Sequence, residues 1–164
     1  MNTGNATMMY QRRTVVLLCT LAVASVLAGC KSLPLKPSNE AKARVALAAS
    51  SDVNPDASGK PSPVVVRVYQ LKGDVAFKGA EFFALFDDEM KVLGPELIGR
   101  EEYLLTPTET KTVELVVPKT ARFVGVVAAY RDIRNSQWRV VVPAPLKNGT
   151  TLSVERARVQ LVSK

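Results

Sequence analysis

The sequence predicts an all-β fold, a β-sandwich of about eight short strands with one added short α-helix. Three features point there. Beyond residue 43, apolar side chains recur at a period of two, as in Val113 and Leu115 or in Ala157, Val159 and Leu161, a spacing that places them on one face of a strand. Clusters of Pro, Gly, Asn, Asp and Ser interrupt these runs at short intervals, which is turn chemistry. Two runs, residues 64–71 and 122–130, are apolar on both faces and so suit central strands.

The elements follow in order. Residues 44–50 alternate with Val45, Leu47 and Ala49 on one side, predicting a first strand. The next stretch, 52–63, holds Pro55, Pro61 and Pro63 with Gly59 and several Asp, Asn and Ser residues. It is too long for a tight hairpin, and a long loop stiffened by prolines is a candidate contact surface. Its expected tip is Asn54, Pro55, Asp56, Ala57, Ser58, Gly59 and Lys60, and removal of these residues is expected to spare the fold. The second strand, 64–71, carries Arg67, for which pairing with a carboxylate is the favoured role. From Gly79 the period changes, and Phe82, Phe83, Phe86 and Met90 predict one amphipathic helix whose phenylalanines face the core. The acidic run Asp87, Asp88 and Glu89 is expected to end that helix in solvent. Strands are then predicted at 100–105, 112–116, 122–130, 137–142, 150–154 and 155–162, with Gly125 admitting a close neighbour and Trp138 anchoring the core.

The chain opens differently. Arg12 and Arg13 precede an apolar run over residues 14–26 that ends in Leu27, Ala28, Gly29 and Cys30, the basic, apolar and small-residue layout of a secretory leader. Sixteen residues between positions 14 and 29 are fewer than the roughly 20 that span a bilayer core. Cys30 directly after Leu-Ala-Gly resembles the lipobox of bacterial lipoproteins, which implies cleavage of residues 1–29 and acylation of Cys30. Several acyl chains hold a protein on a membrane without a spanning helix. Lys31 stands where an aspartate would signal inner-membrane retention in lipoproteins of this kind, so the resemblance implies the outer membrane. Residues 30–42 read as lipidated terminus and linker, and 43–164 as the sandwich domain.

Composition excludes much chemistry. The chain has no histidine, so it holds neither a His-based triad nor an imidazole ligand. Of two cysteines, Cys19 lies in the leader and Cys30 at the lipid site, leaving no thiol nucleophile and no disulfide. The glycines lack phosphate-loop spacing. Neither a cofactor nor a metal is expected. The net charge of +7 includes two leader arginines; the remaining +5 is scattered and forms no nucleic-acid tail. A tethered binding module therefore fits better than an enzyme, with a carboxylate-only hydrolase as the catalytic alternative.

The residues Val66 to Leu71, Phe77, Ala80 to Leu85, Leu105-Thr106-Pro107, Val124 to Asp132 and Trp138-Arg139 together resemble the outer-membrane lipoprotein of the bacterial type VI secretion system, the TssJ/VasD/SciN family. That resemblance implies a transthyretin-like β-sandwich with an added helix. It further implies a structural role on the periplasmic face of the outer membrane, binding the periplasmic C-terminal domain of TssM and, through it, TssL. It also implies that the loop between the first two strands, residues 52–63 here, meets the partner. A lipoprotein module of another envelope assembly is the alternative.

Overall fold

The computed structural model describes residues 40–162; the expected leader and Cys30 lie outside them. Eight strands form two four-stranded sheets. β1 (Glu40–Ala49), β4 (Thr110–Pro118), β7 (Thr150–Val154) and β8 (Val159–Val162) build one in the order β4-β1-β7-β8. β2 (Val64–Leu71), β3 (Leu97–Leu105), β5 (Phe123–Ala128) and β6 (Arg139–Pro143) build the other in the order β3-β2-β5-β6. Neighbours are antiparallel except β1 and β7, which run parallel from Val45 opposite Thr150.

Alternation decides what each face buries. On β1 the odd positions Ala43, Val45, Leu47 and Ala49 are buried and meet Val64, Val66 and Val68 of β2 and Val124 and Val126 of β5 in the inter-sheet core. Each such side chain contributes about 1.5–3 kcal/mol on burial. β1 starts at Glu40, so Glu40, Ala41 and Lys42, read as linker from sequence, are strand. Their backbone pairs with Val116, Val117 and Pro118 of β4, a partner that composition cannot reveal.

The opposite faces of β2 and β5 explain why both runs are apolar throughout. Tyr69, Leu71 and Val127 point away from the sandwich into a second core, closed by Phe77, Phe82, Leu85 and Leu93. Gly125 lies beneath Phe77: a Cβ there would stand 2.7 Å from the ring, so the expected close neighbour is this phenylalanine. Burial pushes the Tyr69 phenol up to about 12, and its hydroxyl donates to Glu89 at 3.1 Å.

The layer over this second core is not one helix but three, α1 (Val75–Gly79), α2 (Phe82–Asp87) and α3 (Glu89–Leu93), followed by a 3-10 turn at Gly94–Glu96. Ala80 is extended at φ −70°, ψ 142° and stops the first. Asp88 breaks the second and caps the third, its carboxylate accepting from the Lys91 amide at 3.2 Å. The breaks rotate the apolar positions out of a common stripe: Phe82 is buried, whereas Phe83 and Met90 are 65% and 66% exposed. Nor does the acidic run simply end in solvent. Glu89 turns in to pair with Arg100 at 2.8 Å.

Arg67 takes the expected structural role. Its Nε donates to Glu102 at 2.7 Å and its Nη1 to the Phe86 carbonyl at 2.6 Å, while the guanidinium carbon stands 3.6 Å from the Phe86 ring centre. One side chain thereby ties β2 to β3 and to α2. Trp138 precedes β6 and meets Phe82 edge-on at 5.2 Å. The last predicted strand is shorter than expected, because Glu155 N–H bonds the Arg158 carbonyl at 2.8 Å and bends residues 155–158 into a turn.

Candidate functional site

The two ends of the sandwich differ in what they carry. The β1–β2 loop, the β3–β4 turn and the β5–β6 and β7–β8 connections meet at one end. The amides of Thr108 and Ser50 bond the carbonyls of Ser50 and Val154, and the Asn54 amide bonds the Arg156 carbonyl at 3.2 Å. Glu40, where the described chain begins, pairs with Pro118 at the other end. The long loop flagged by its composition therefore projects from the end remote from Glu40.

Its base is locked by Asn54. This residue was expected at the tip, yet it is buried, 3% exposed, with φ +49°. Its Nδ2 donates to the Pro63 carbonyl at 2.6 Å and its Oδ1 accepts from the Arg131 amide at 2.7 Å. Asparagine is the side chain best suited here, since it tolerates the left-handed region and its amide offers both donor and acceptor. A deletion that includes Asn54 therefore removes a structural clamp and would not spare the fold.

Asp56 organises the projecting part. Its Oδ1 accepts from the amides of Ser58 and Lys60 at 2.9 Å each and from the Ser58 hydroxyl at 2.6 Å. Gly59, at φ +82°, closes the turn by donating to the Asp56 carbonyl at 2.9 Å. Ala57, Ser58, Gly59 and Lys60 are exposed, and Pro55 and Asp56 half-buried. Bonds from Ser58 first and then from the Lys60 amide hold the Asp56 carboxyl below its ordinary 3.8. Such a group binds fewer protons when folded, so its support for the turn is complete above 3.8 and lost as pH falls through its lower folded value. The Ser58 and Lys60 amide resonances are expected to titrate together below that ordinary value, and Asp56→Asn to abolish the common transition.

Beside the loop lies an open cleft of about 530 Å³ lined by Asn54 to Ala57, Tyr130 to Asp132, Asn135, Arg156 and Ala157. Arg131, Asp132 and Arg156 are exposed there, and Asn135 holds the Asp132 carboxylate at 2.9 and 3.0 Å. Tyr130 is buried, and its hydroxyl has no hydrogen-bond partner among the described residues; burial, followed by Glu155, pushes its phenol well up. Residues 131–136 fall between the predicted strands 122–130 and 137–142, with a polar composition that points to no site. Their convergence with Arg156 depends on how the sheets pack, and no local pattern encodes that. The cleft is open to solvent and mixes charges of both signs. Among the described residues no helix is long and apolar enough to cross a membrane.

A comparison with curated proteins found no match. Several solved structures do match. The crystal structure of the type VI secretion lipoprotein TssJ1 from Pseudomonas aeruginosa is 34% identical over 75% of this chain and 95% of its own, with a TM-score of 0.69. Serratia marcescens Lip, described as a membrane-bound component of the type VI secretion system, is 27% identical over 75% of this chain and 96% of its own, also at 0.69. A chain in the structure described as the TssM C-terminal domain from EAEC is 27% identical over 75% of this chain and 98% of its own, at 0.63. The model of the family described as type VI secretion lipoprotein, VasD, EvfM, TssJ, VC_A0113, matches residues 41–161. A sandwich with this helical layer, matched over nearly its whole length, identifies the chain as a member of the type VI secretion lipoprotein family, whose role is structural and not enzymatic.

Proposed function

We propose that the protein is acylated at Cys30, rests on the periplasmic face of the outer membrane, and binds the periplasmic C-terminal domain of TssM through the β1–β2 loop, so that TssM and, indirectly, TssL are fastened to that membrane. The observation that carries this reading is the likeness to a chain in the structure described as the TssM C-terminal domain. The loop supports it on physical grounds. Asp56, Asn54 and the prolines hold it in shape before any partner arrives, so little ordering entropy remains to oppose binding. Within it, Ala57, Ser58, Gly59 and Lys60 present the exposed surface, flanked by the mixed-charge cleft.

The anchoring half of the proposal predicts that Cys30→Ser moves the protein out of the outer-membrane fraction and that a TssM C-terminal fragment no longer sediments with outer membranes. Persistence of the substituted protein in that fraction would refute lipidation at Cys30. Loss of the fragment from membranes that still hold the wild-type protein would refute the TssM contact.

A further inference from the structure

The end of the sandwich opposite the β1–β2 loop carries an unbalanced charge. Lys72 follows β2, Lys119 and Arg122 lie in the β4–β5 turn, and Lys147 lies in the β6–β7 connection; all four are exposed. Backbone bonds draw these segments together: the Arg122 amide bonds the Leu71 carbonyl at 2.8 Å and the Ala144 amide bonds the Arg122 carbonyl at 2.8 Å. Among the described residues none of the four forms an ion pair, although Lys42, Arg67, Lys78 and Arg100 all do. The acids near this end are few. Glu40 is exposed, Glu96 turns an oxygen inward to burial, and Asp74, two positions after Lys72, is paired with Lys78. Val75, 77% exposed at the start of α1, adds an apolar side chain three residues after Lys72. The loop end, by contrast, mixes both signs, with Asp52, Asp56 and Asp132 among Lys60, Arg131 and Arg156.

This is also the end at which the described chain begins, at Glu40. Cys30 stands ten positions earlier, a covalent reach of at most about 35 Å. Resting on the lipidation reading above, we propose that this basic end is a membrane-docking face that settles on anionic phosphate head groups of the bilayer holding the anchor. The lipid supplies attachment, and Lys72, Lys119, Arg122 and Lys147 supply orientation. Unpaired cations within a Debye length of an anionic surface, about 8 Å at physiological salt, are attracted to it. Docked this way, the sandwich stands on its basic end and aims Ala57 to Lys60 into the periplasm, away from the bilayer. A tether without such a face would leave the loop direction unset.

The test uses the full-length protein, produced in a bacterium that acylates lipoproteins and reconstituted into vesicles of phosphatidylcholine alone or with phosphatidylglycerol, treated with a water-soluble amine-acylating reagent and read by mass spectrometry. With phosphatidylglycerol, acylation of Lys119 and Lys147 is expected to fall by about threefold or more relative to Lys60 and Lys111, and to recover at high salt. Lys119→Glu combined with Lys147→Glu is expected to remove the protection of Lys72 while leaving the protein on the vesicles. Equal acylation at both ends on anionic vesicles, or protection that is the same without phosphatidylglycerol, would overturn the docking face while leaving the anchor intact. Failure to float with either vesicle would instead remove the lipidation reading, and the docking face with it.

Discussion

Phe77→Ala is expected to lower the unfolding free energy by about 4 kcal/mol, the largest effect anticipated for a single side chain in this domain. The ring is fully buried, sits over Gly125 and meets Tyr69 at 5.7 Å. Its loss would open a cavity between the helical layer and β5 that neither backbone can close. Gly125→Ala attacks the same contact from below, forcing a methyl to within 2.7 Å of the ring, at a cost of about 2 kcal/mol. The two changes share a contact and should be strongly non-additive. Denaturant midpoints of the single and double variants check this. Phe83→Ala provides the contrast, because at 65% exposure its removal should stay within about 0.5 kcal/mol.

Asn54→Ala is the second large effect, about 3 kcal/mol. It removes part-buried hydrogen bonds to the Pro63 carbonyl and from the Arg131 amide, each contributing about 1 kcal/mol. It also asks alanine to hold φ +49°, a conformation that costs a residue with a Cβ about 1 kcal/mol. The melting temperature should fall by about 10 °C for a domain of this size. Asn54→Asp is a sharper probe, since it keeps the shape and the acceptor toward Arg131 but loses the donor toward Pro63. Equal melting of wild type and Asn54→Ala would show that the loop base is not clamped as described.

What could be read from sequence was whatever repeats locally. A period of two and turn-bounded apolar runs located the strands, and the two doubly apolar runs, residues 64–71 and 122–130, marked the strands with a second layer upon them. Gly125 announced a close neighbour without naming Phe77, because the partner comes from a segment 48 positions earlier in the chain. Features set by long-range pairing were not legible. β1 extends to Glu40 because β4 supplies a backbone opposite it, although residues 31–42 look like linker. Phe82, Phe83, Phe86 and Met90 fit one helix by spacing, but Ala80 and Asp88 cut the segment and turn Phe83 and Met90 outward. Composition picked out residues 52–63 as a long loop but put Asn54 at its tip, whereas that residue is buried at the base. Asn54 looks like any polar turn residue until Arg131 is seen to reach it from 77 positions away. That Arg131, Asp132 and Arg156 line one cleft with the loop was not legible for the same reason.

The central claim is that the exposed turn from Ala57 to Lys60 meets the TssM C-terminal domain. Calorimetric titration of that domain against the wild-type protein and against Ala57→Arg combined with Lys60→Glu tests it most directly. Both substituted side chains are exposed, and the bonds that shape the turn use the Lys60 backbone, so unfolding should shift by no more than about 0.5 kcal/mol. Affinity is expected to fall by about tenfold or more, equivalent to about 1.4 kcal/mol. Undiminished binding by a folded variant would contradict the account.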